Sequence, residues 1–276
     1  LHRLALVSLL ASGCMSLDGF FFNPLAVDEY AFDGDIPMEH IEEVSFQSGG
    51  HTLAGVWVTP PDATGTLVYF HGNKENIDAY WDRMEAYYEM GFTTFTFDYR
   101  GYGKSEGKPT YDGVLVDGQA AVDHVESFTN LDIGQLPLLG FSLGGCVASH
   151  TAITRTPQVL ITEAMFANPD RLTREASAGM SVPAGWLYEN PFDNADAVRR
   201  QDAPVLIMHG AIDDYISPAH AREVYQTAQE PKKLWLVPGA NHSDIIPLAT
   251  DDVERQIKGW IAQHAESSSA GLSAGD

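Results

Sequence analysis

Cysteine is nearly absent. The chain holds two, Cys14 and Cys146, in 276 residues, too few for a disulfide framework or a thiolate-bound metal cluster. Basic residues are scarce as well. Sixteen Lys and Arg face 38 Asp and Glu, a formal net charge of −22, which argues against nucleic acid or an anionic membrane surface as a partner. Long apolar runs are missing too: Leu4–Leu10 is too short to span a bilayer. What remains is 44% hydrophobic and 11% aromatic, ample for a sizeable core in one large domain or two small ones.

Both ends of the chain stand apart. Arg3, the apolar run Leu4–Leu10 and the small residues Ala11-Ser12-Gly13 before Cys14 make residues 1–14 a signal segment. Small residues directly before a cysteine also resemble a bacterial lipoprotein cleavage box. The expected location is therefore exported and membrane-anchored through a lipid on Cys14, with soluble secretion as the alternative. Residues 15–40 read as a linker, rich in Asp, Gly and Pro, whose sticky patch Phe20-Phe21-Phe22 is expected to pack on the domain. Residues 266–276 are small and polar and read as a flexible tail.

Between the ends, from 41 to 265, strand and helix patterns alternate. Glu43–Gln47 and Thr52–Val58 flank Gly49-Gly50 and predict a hairpin. Strands follow at Thr66–Phe70, Phe92–Phe97, Leu136–Phe141, Val159–Thr162, Val205–Met208 and Lys233–Val237, with helical patterns between most of them and a last helix at about Leu248–His264. Such alternation predicts a doubly wound, mainly parallel sheet covered on both faces. The stretch 164–201 breaks the rhythm with Pro169, Pro183 and Pro191 and reads as a short helical lid insertion.

Chemistry enters at Gly140-Phe141-Ser142-Leu143-Gly144. An apolar strand stops at a Gly-x-Ser-x-Gly and a helical pattern of small residues begins, the setting of a nucleophile on a sharp turn. A second match, Gly103-Lys104-Ser105-Glu106-Gly107, has charged flanks and Lys108-Pro109 where a helix should start, so it reads as a surface loop. A serine nucleophile needs a base, an acid to orient the base, and oxyanion donors, expected on loops at the carboxyl ends of strands. His242, after the last strand, is the candidate base. Asp213, after the next-to-last strand, is the candidate acid, with Asp214 and Glu163 as rivals. The N–H groups of Leu143 and Asn73 are candidate oxyanion donors. His71 and His209, at strand ends, read as loop-bracing histidines. No pair of His and acidic residues has the tight spacing of a metal site, so neither metal nor cofactor is expected.

The chain order Ser142, Asp213, His242 is similar to that of the α/β-hydrolases. His71-Gly72-Asn73, Asp98-Tyr99-Arg100-Gly101-Tyr102-Gly103, Gly140–Gly145, His209-Gly210-Ala211-Ile212-Asp213 and Gly239-Ala240-Asn241-His242 resemble successive motifs of the small-lid serine hydrolase branch. That branch holds bacterial lipoprotein esterases and depalmitoylase-like membrane-associated hydrolases. The resemblance spans about Glu43 to His264 and implies an α/β-hydrolase fold and a serine esterase acting on a small-molecule ester or acylated substrate. The acyl chains expected are short to medium. Thioesterase or depalmitoylase-like activity, and peptidase activity, are the alternatives on the same triad; a non-catalytic binding or scaffold protein is the remaining one. Met165, Phe166, Trp186 and Leu187 of the lid are the candidate substrate contacts.

Overall fold

The computed structural model describes residues 21–176 and 192–265. The signal or anchor segment with Cys14, the lid residues Trp186 and Leu187, and the tail 266–276 lie outside them. Among the described residues no helix is long and apolar enough to cross a membrane.

Eight strands form one sheet: β1 (Ile41–Ser48), β2 (His51–Val58), β3 (Gly65–Phe70), β4 (Phe92–Phe97), β5 (Leu138–Phe141), β6 (Leu160–Glu163), β7 (Val205–Gly210) and β8 (Lys232–Val237). Their order across the sheet is β8-β7-β6-β5-β3-β4-β2-β1. The β1–β2 hairpin turns at Gly49 and Gly50, whose φ values of 52° and 85° suit residues without a Cβ. Its two strands pair antiparallel and β2 joins β4 antiparallel; the other pairings in the sheet are parallel. This is the α/β-hydrolase arrangement.

Side chains alternate across each parallel strand, and the two faces bury different cores. Val68, Phe70, Leu138, Leu160, Val205 and Ile207 pack in one cluster; their neighbours Leu67, Tyr69, Leu139, Ile161, Leu206 and Met208 pack in the other. Both faces are covered, which is why these strands read as unbroken apolar runs. The first face carries α2 (Tyr111–Thr129), α3 (Leu143–Thr154), α5 (Asn194–Arg200) and α6 (Pro218–Thr227). On the second lie α1 (Trp81–Glu89) and α7 (Ile245–Gln263). A short α4 (Pro169–Ala176) follows β6.

Local chemistry sets the helix boundaries. The Thr110 side chain accepts from Gly113 N–H to open α2, and Asn130 closes it in a left-handed conformation. Ser217 caps α6, with Pro218 in the first turn. The last helix starts at Ile245 rather than the expected Leu248. Pro247 sits in its first turn, where the missing N–H costs nothing, and a kink at Ala249 joins two helical pieces.

Two segment readings need correction. The described part of the expected linker, from residue 21, is built into the domain: Phe22, Phe32 and Ile36 are buried. Within the expected lid, α5 belongs to the main helical layer, because Ala195 and Val198 join the first-face core. The proline-rich composition that marks a linker or insertion does not register burial of its few apolar residues.

Candidate active site

The loops that leave the carboxyl ends of β3, β5, β7 and β8 meet at one end of the sheet. The sharpest turn is at Ser142, where β5 passes directly into α3 with φ 53° and ψ −114°. A serine holds this left-handed conformation only where its surroundings enforce it. Ser142 N–H donates to the Glu163 carbonyl at 2.8 Å, and Gly145 N–H donates to the Ser142 carbonyl at 3.1 Å. The flanking glycines are steric necessities. A Cβ on Gly140 would collide with the Gly144 carbonyl, and one on Gly144 with the carbonyl oxygen of Phe70. Both obstacles are backbone and cannot rotate away. Gly144→Ala is expected to destabilise by at least about 1–3 kcal/mol, read as a lower urea midpoint, and to displace the elbow enough to suppress turnover.

His242 follows β8, and its Nδ1 lies 2.9 Å from Asp213 Oδ2. The other carboxylate oxygen, Oδ1, accepts from the N–H groups of Tyr215 at 2.9 Å and Ile216 at 2.8 Å. His209 Nε2 lies 3.2 Å from Oδ2 and 2.7 Å from the Ile216 carbonyl. Both of those are acceptors, so His209 carries its proton on Nε2. Burial pushes the Asp213 carboxyl up, but hydrogen bonds from His209, His242 and the Ile216 N–H outweigh it and hold the group well below the usual carboxylate range. An ionised Asp213 in turn keeps the His242 proton on Nδ1, leaving Nε2 as a free acceptor.

Among the described residues neither rival carboxylate pairs with His242. Asp214 is exposed. Glu163 is fully buried and pairs with Arg83 at 2.7 Å, while the Arg83 guanidinium lies 3.9 Å from the centre of the Phe141 ring. Ser105, the second Gly-x-Ser-x-Gly serine, is a brace. Its Oγ donates to the Asp98 carbonyl at 2.7 Å and accepts from Ala54 N–H at 2.9 Å. His71 is buried beneath the loop after β3, with Nδ1 2.7 Å from the Gly72 carbonyl and Nε2 3.3 Å from Asp98 Oδ1.

The two candidate oxyanion donors are both unclaimed. The N–H of Leu143, first residue of α3, has no intrahelical acceptor, and neither it nor the Asn73 N–H is taken by a hydrogen bond among the described residues. Gly72 lets this loop pack tightly, since a Cβ there would lie 2.7 Å from Tyr80 Oη and 2.9 Å from Phe141 Cδ1.

Ser142, Leu143, Asn73 and His242 line one cavity of about 630 Å³. Phe21, Phe166, Leu172 and Ile216 are apolar residues of its lining; Lys74, Tyr80, Asp82 and Arg83 are polar or charged ones. Of the expected lid contacts, Phe166 is in the lining. Met165 is a correction: it is buried behind the elbow, its Sδ 3.5 Å from Ser149 Oγ, and the cavity lining does not include it. Sequence reasoning did not place Phe21, Asn23 or Tyr215 in the lining. The aromatic patch at 20–22 was the available signal for the first of these. Among the described residues no group of three His, Cys, Asp or Glu side chains could hold a metal ion.

Comparison with known proteins agrees with this architecture. The Hydrolase_4 family (serine aminopeptidase, S33) matches residues 61–188. The uncharacterized protein YfhR of Escherichia coli O157:H7 is 30% identical over 227 residues, covering 78% of this chain and 78% of its own. The α/β-hydrolase domain-containing protein WAV2 of Arabidopsis thaliana is 27% identical over 209 residues, covering 68% of this chain and 66% of its own. Among solved structures, the Pyrococcus furiosus esterase Pf2001 superposes with a TM-score of 0.71 at 18% identity, covering 88% of this chain and 97% of that one. The acetyl xylan esterase from Paenibacillus sp. R4 gives 0.64 at 21% identity, covering 82% and 86%.

Proposed function

The chain belongs to the α/β-hydrolase superfamily, and we propose that within it this protein is a serine carboxylesterase working through an acyl-enzyme. The observation that carries the reading is the Asp213–His242 pair at 2.9 Å, opening on the same cavity as the strained Ser142. Ser142 Oγ attacks the ester carbonyl carbon and passes its proton to His242 Nε2. The tetrahedral oxyanion forms against the Leu143 and Asn73 N–H groups, each such donor being worth about 10²–10³ in rate. Collapse breaks the bond to the alcohol, which leaves with the proton from His242. Water, activated by the same histidine, then frees the acid. Asp213 stays ionised throughout, holding the ring in one tautomer and stabilising the imidazolium.

The apolar residues in the cavity lining suit short to medium acyl chains. A second reading, amide cleavage, draws on the serine aminopeptidase description of the matching family and on Asp82 in the cavity lining, a carboxylate able to meet a substrate ammonium. A fluorophosphonate probe is expected to label Ser142 in the full chain. Across p-nitrophenyl esters, acyl thioesters and aminoacyl amides, kcat/KM is expected to peak at short- to medium-chain esters. Equal or greater turnover of a thioester or amide would replace the esterase reading, and an intact protein that refuses the probe would end the enzymatic one.

A further inference from the structure

We propose that residues 21–27, which lie ahead of the sheet, are a working strap of the active site. The strap backbone clamps the Asn73 side chain and thereby aims the Asn73 N–H, and the Phe21 ring walls the acyl side. The inference rests on the esterase reading above.

The clamp is built like one rung of a parallel β-ladder. Asn73 Nδ2 donates to the Phe21 carbonyl at 2.6 Å, and Asn73 Oδ1 accepts from Asn23 N–H at 3.1 Å. In a parallel pair one residue donates to its neighbour's preceding carbonyl and accepts from the following N–H; here a side-chain amide does so in place of a peptide. Tyr102 Oη gives the same Oδ1 its second hydrogen bond at 2.6 Å, so both lone pairs of that oxygen are used. Backbone pairing then takes over. Asn23–Pro24 run parallel to Lys74–Glu75, and Leu25 N–H donates to the Glu75 carbonyl at 2.9 Å. On the far side Gly103 N–H donates to Leu25 and Val27 N–H to Gly103, each at 3.0 Å. The strap is therefore a short strand laid between the oxyanion loop and the loop after β4.

It is also fixed to the body. The Phe22 ring is buried and packs 5.3 Å from Tyr111. The Phe21 ring, one residue earlier, joins the cavity lining 6.4 Å from Phe166, so the strap and the segment after β6 contribute neighbouring apolar rings to it.

The physical consequence follows from how tightly such donors must be held. A backbone N–H stabilises an oxyanion only within about 0.5 Å and 10–20° of its productive position. The Asn73 loop lies beyond the end of β3, outside the eight-stranded sheet, so it is held by the clamp together with the strap's pairing to Lys74–Glu75 and the Tyr102 hydroxyl. Asn73 is thus an oxyanion donor through its backbone, and its side chain is a positioning group.

Asn23→Pro deletes the donor N–H, and Asn23→Ala, which keeps it, is the reference. With p-nitrophenyl butyrate, Asn23→Pro is expected to lower kcat about 10- to 100-fold relative to Asn23→Ala, part or all of one oxyanion donor, with KM held within about twofold. Fluorophosphonate labelling should slow in parallel. A general loosening of the fold would move KM and the thermal midpoint instead. Asn73→Ala releases the same clamp from the other side while retaining the Asn73 N–H, and it carries the test should the proline variant fail to fold. Phe21→Ala should raise laurate over butyrate ester turnover at least about fivefold. If wild-type protein labels and turns over normally while kcat in the clamp variants stays within about twofold of the reference, the clamp is refuted. An unchanged chain-length profile in Phe21→Ala refutes the acyl wall. If wild-type protein itself neither labels nor turns over, the esterase reading fails first.

Discussion

Ser142→Ala is expected to lower kcat by about 10⁴–10⁶-fold while the protein unfolds at nearly the wild-type temperature. Alanine keeps the Cβ, so the positive φ at this turn is no harder to hold than with serine, and the two backbone bonds of Ser142 to Glu163 and Gly145 remain. Only the hydroxyl that would form the acyl-enzyme is gone. The opposite signature is expected of Ser105→Ala. Its Oγ joins the Asp98 carbonyl to the Ala54 N–H, and removing it orphans both groups at about 1–3 kcal/mol. That variant should melt earlier and still turn over when folded. Steady-state hydrolysis beside thermal melts separates the two serines. An active Ser142→Ala, or an inactive but fully folded Ser105→Ala, would reverse the assignment.

Asp213→Asn is the second large effect, a fall in kcat of about 10⁴-fold. The N–H groups of Tyr215 and Ile216 both point at Oδ1, so an asparagine must place its carbonyl oxygen there and its NH₂ at the Oδ2 position. That NH₂ then faces the ring nitrogens of His242 and His209, 2.9 Å and 3.2 Å away. A donor against His242 Nδ1–H drives the proton to Nε2, and a histidine protonated there cannot take one from Ser142. The substitution also removes a pH-dependent share of stability. The Asp213 pKa is depressed in the folded state, so its contribution is complete above the unfolded carboxylate value, about 3.9, and is lost as pH falls toward the folded value. The urea midpoints of wild type and Asp213→Asn should therefore differ near neutral pH and converge below about pH 4. A constant gap across that range would show that Asp213 does not titrate in this way.

Much of this was legible in the sequence because it rests on local steric rules. Gly-Phe-Ser-Leu-Gly between an apolar strand and a helix of small residues has few other conformations, and Gly140 and Gly144 are fixed by backbone contacts. Strand ends are marked by the same residues that leave the sheet, so the loops holding Asn73, Asp213 and His242 could be found from the alternation alone. Contacts distant in sequence were not legible. Nothing in Phe21-Phe22-Asn23 reveals that it pairs with a loop 50 residues later, because the strap uses main-chain groups that every residue has. Met165 and Phe166 are equally apolar, and only the path of the chain after β6 decides which faces the cavity. The same holds for Glu163, whose engagement with Arg83 depends on a helix 80 residues earlier.

The strap also sets where the described chain begins. Phe21 lies in the wall of the cavity, so the first described residue is part of the site. Were Cys14 to carry a lipid, that anchor would lie seven residues upstream, at most about 25 Å along a fully extended chain. The opening would then be held close to the bilayer surface by its tether. Acylated molecules residing in or leaving that bilayer would reach Ser142 by a short lateral path, and the enzyme would sample a nearly two-dimensional pool of substrate.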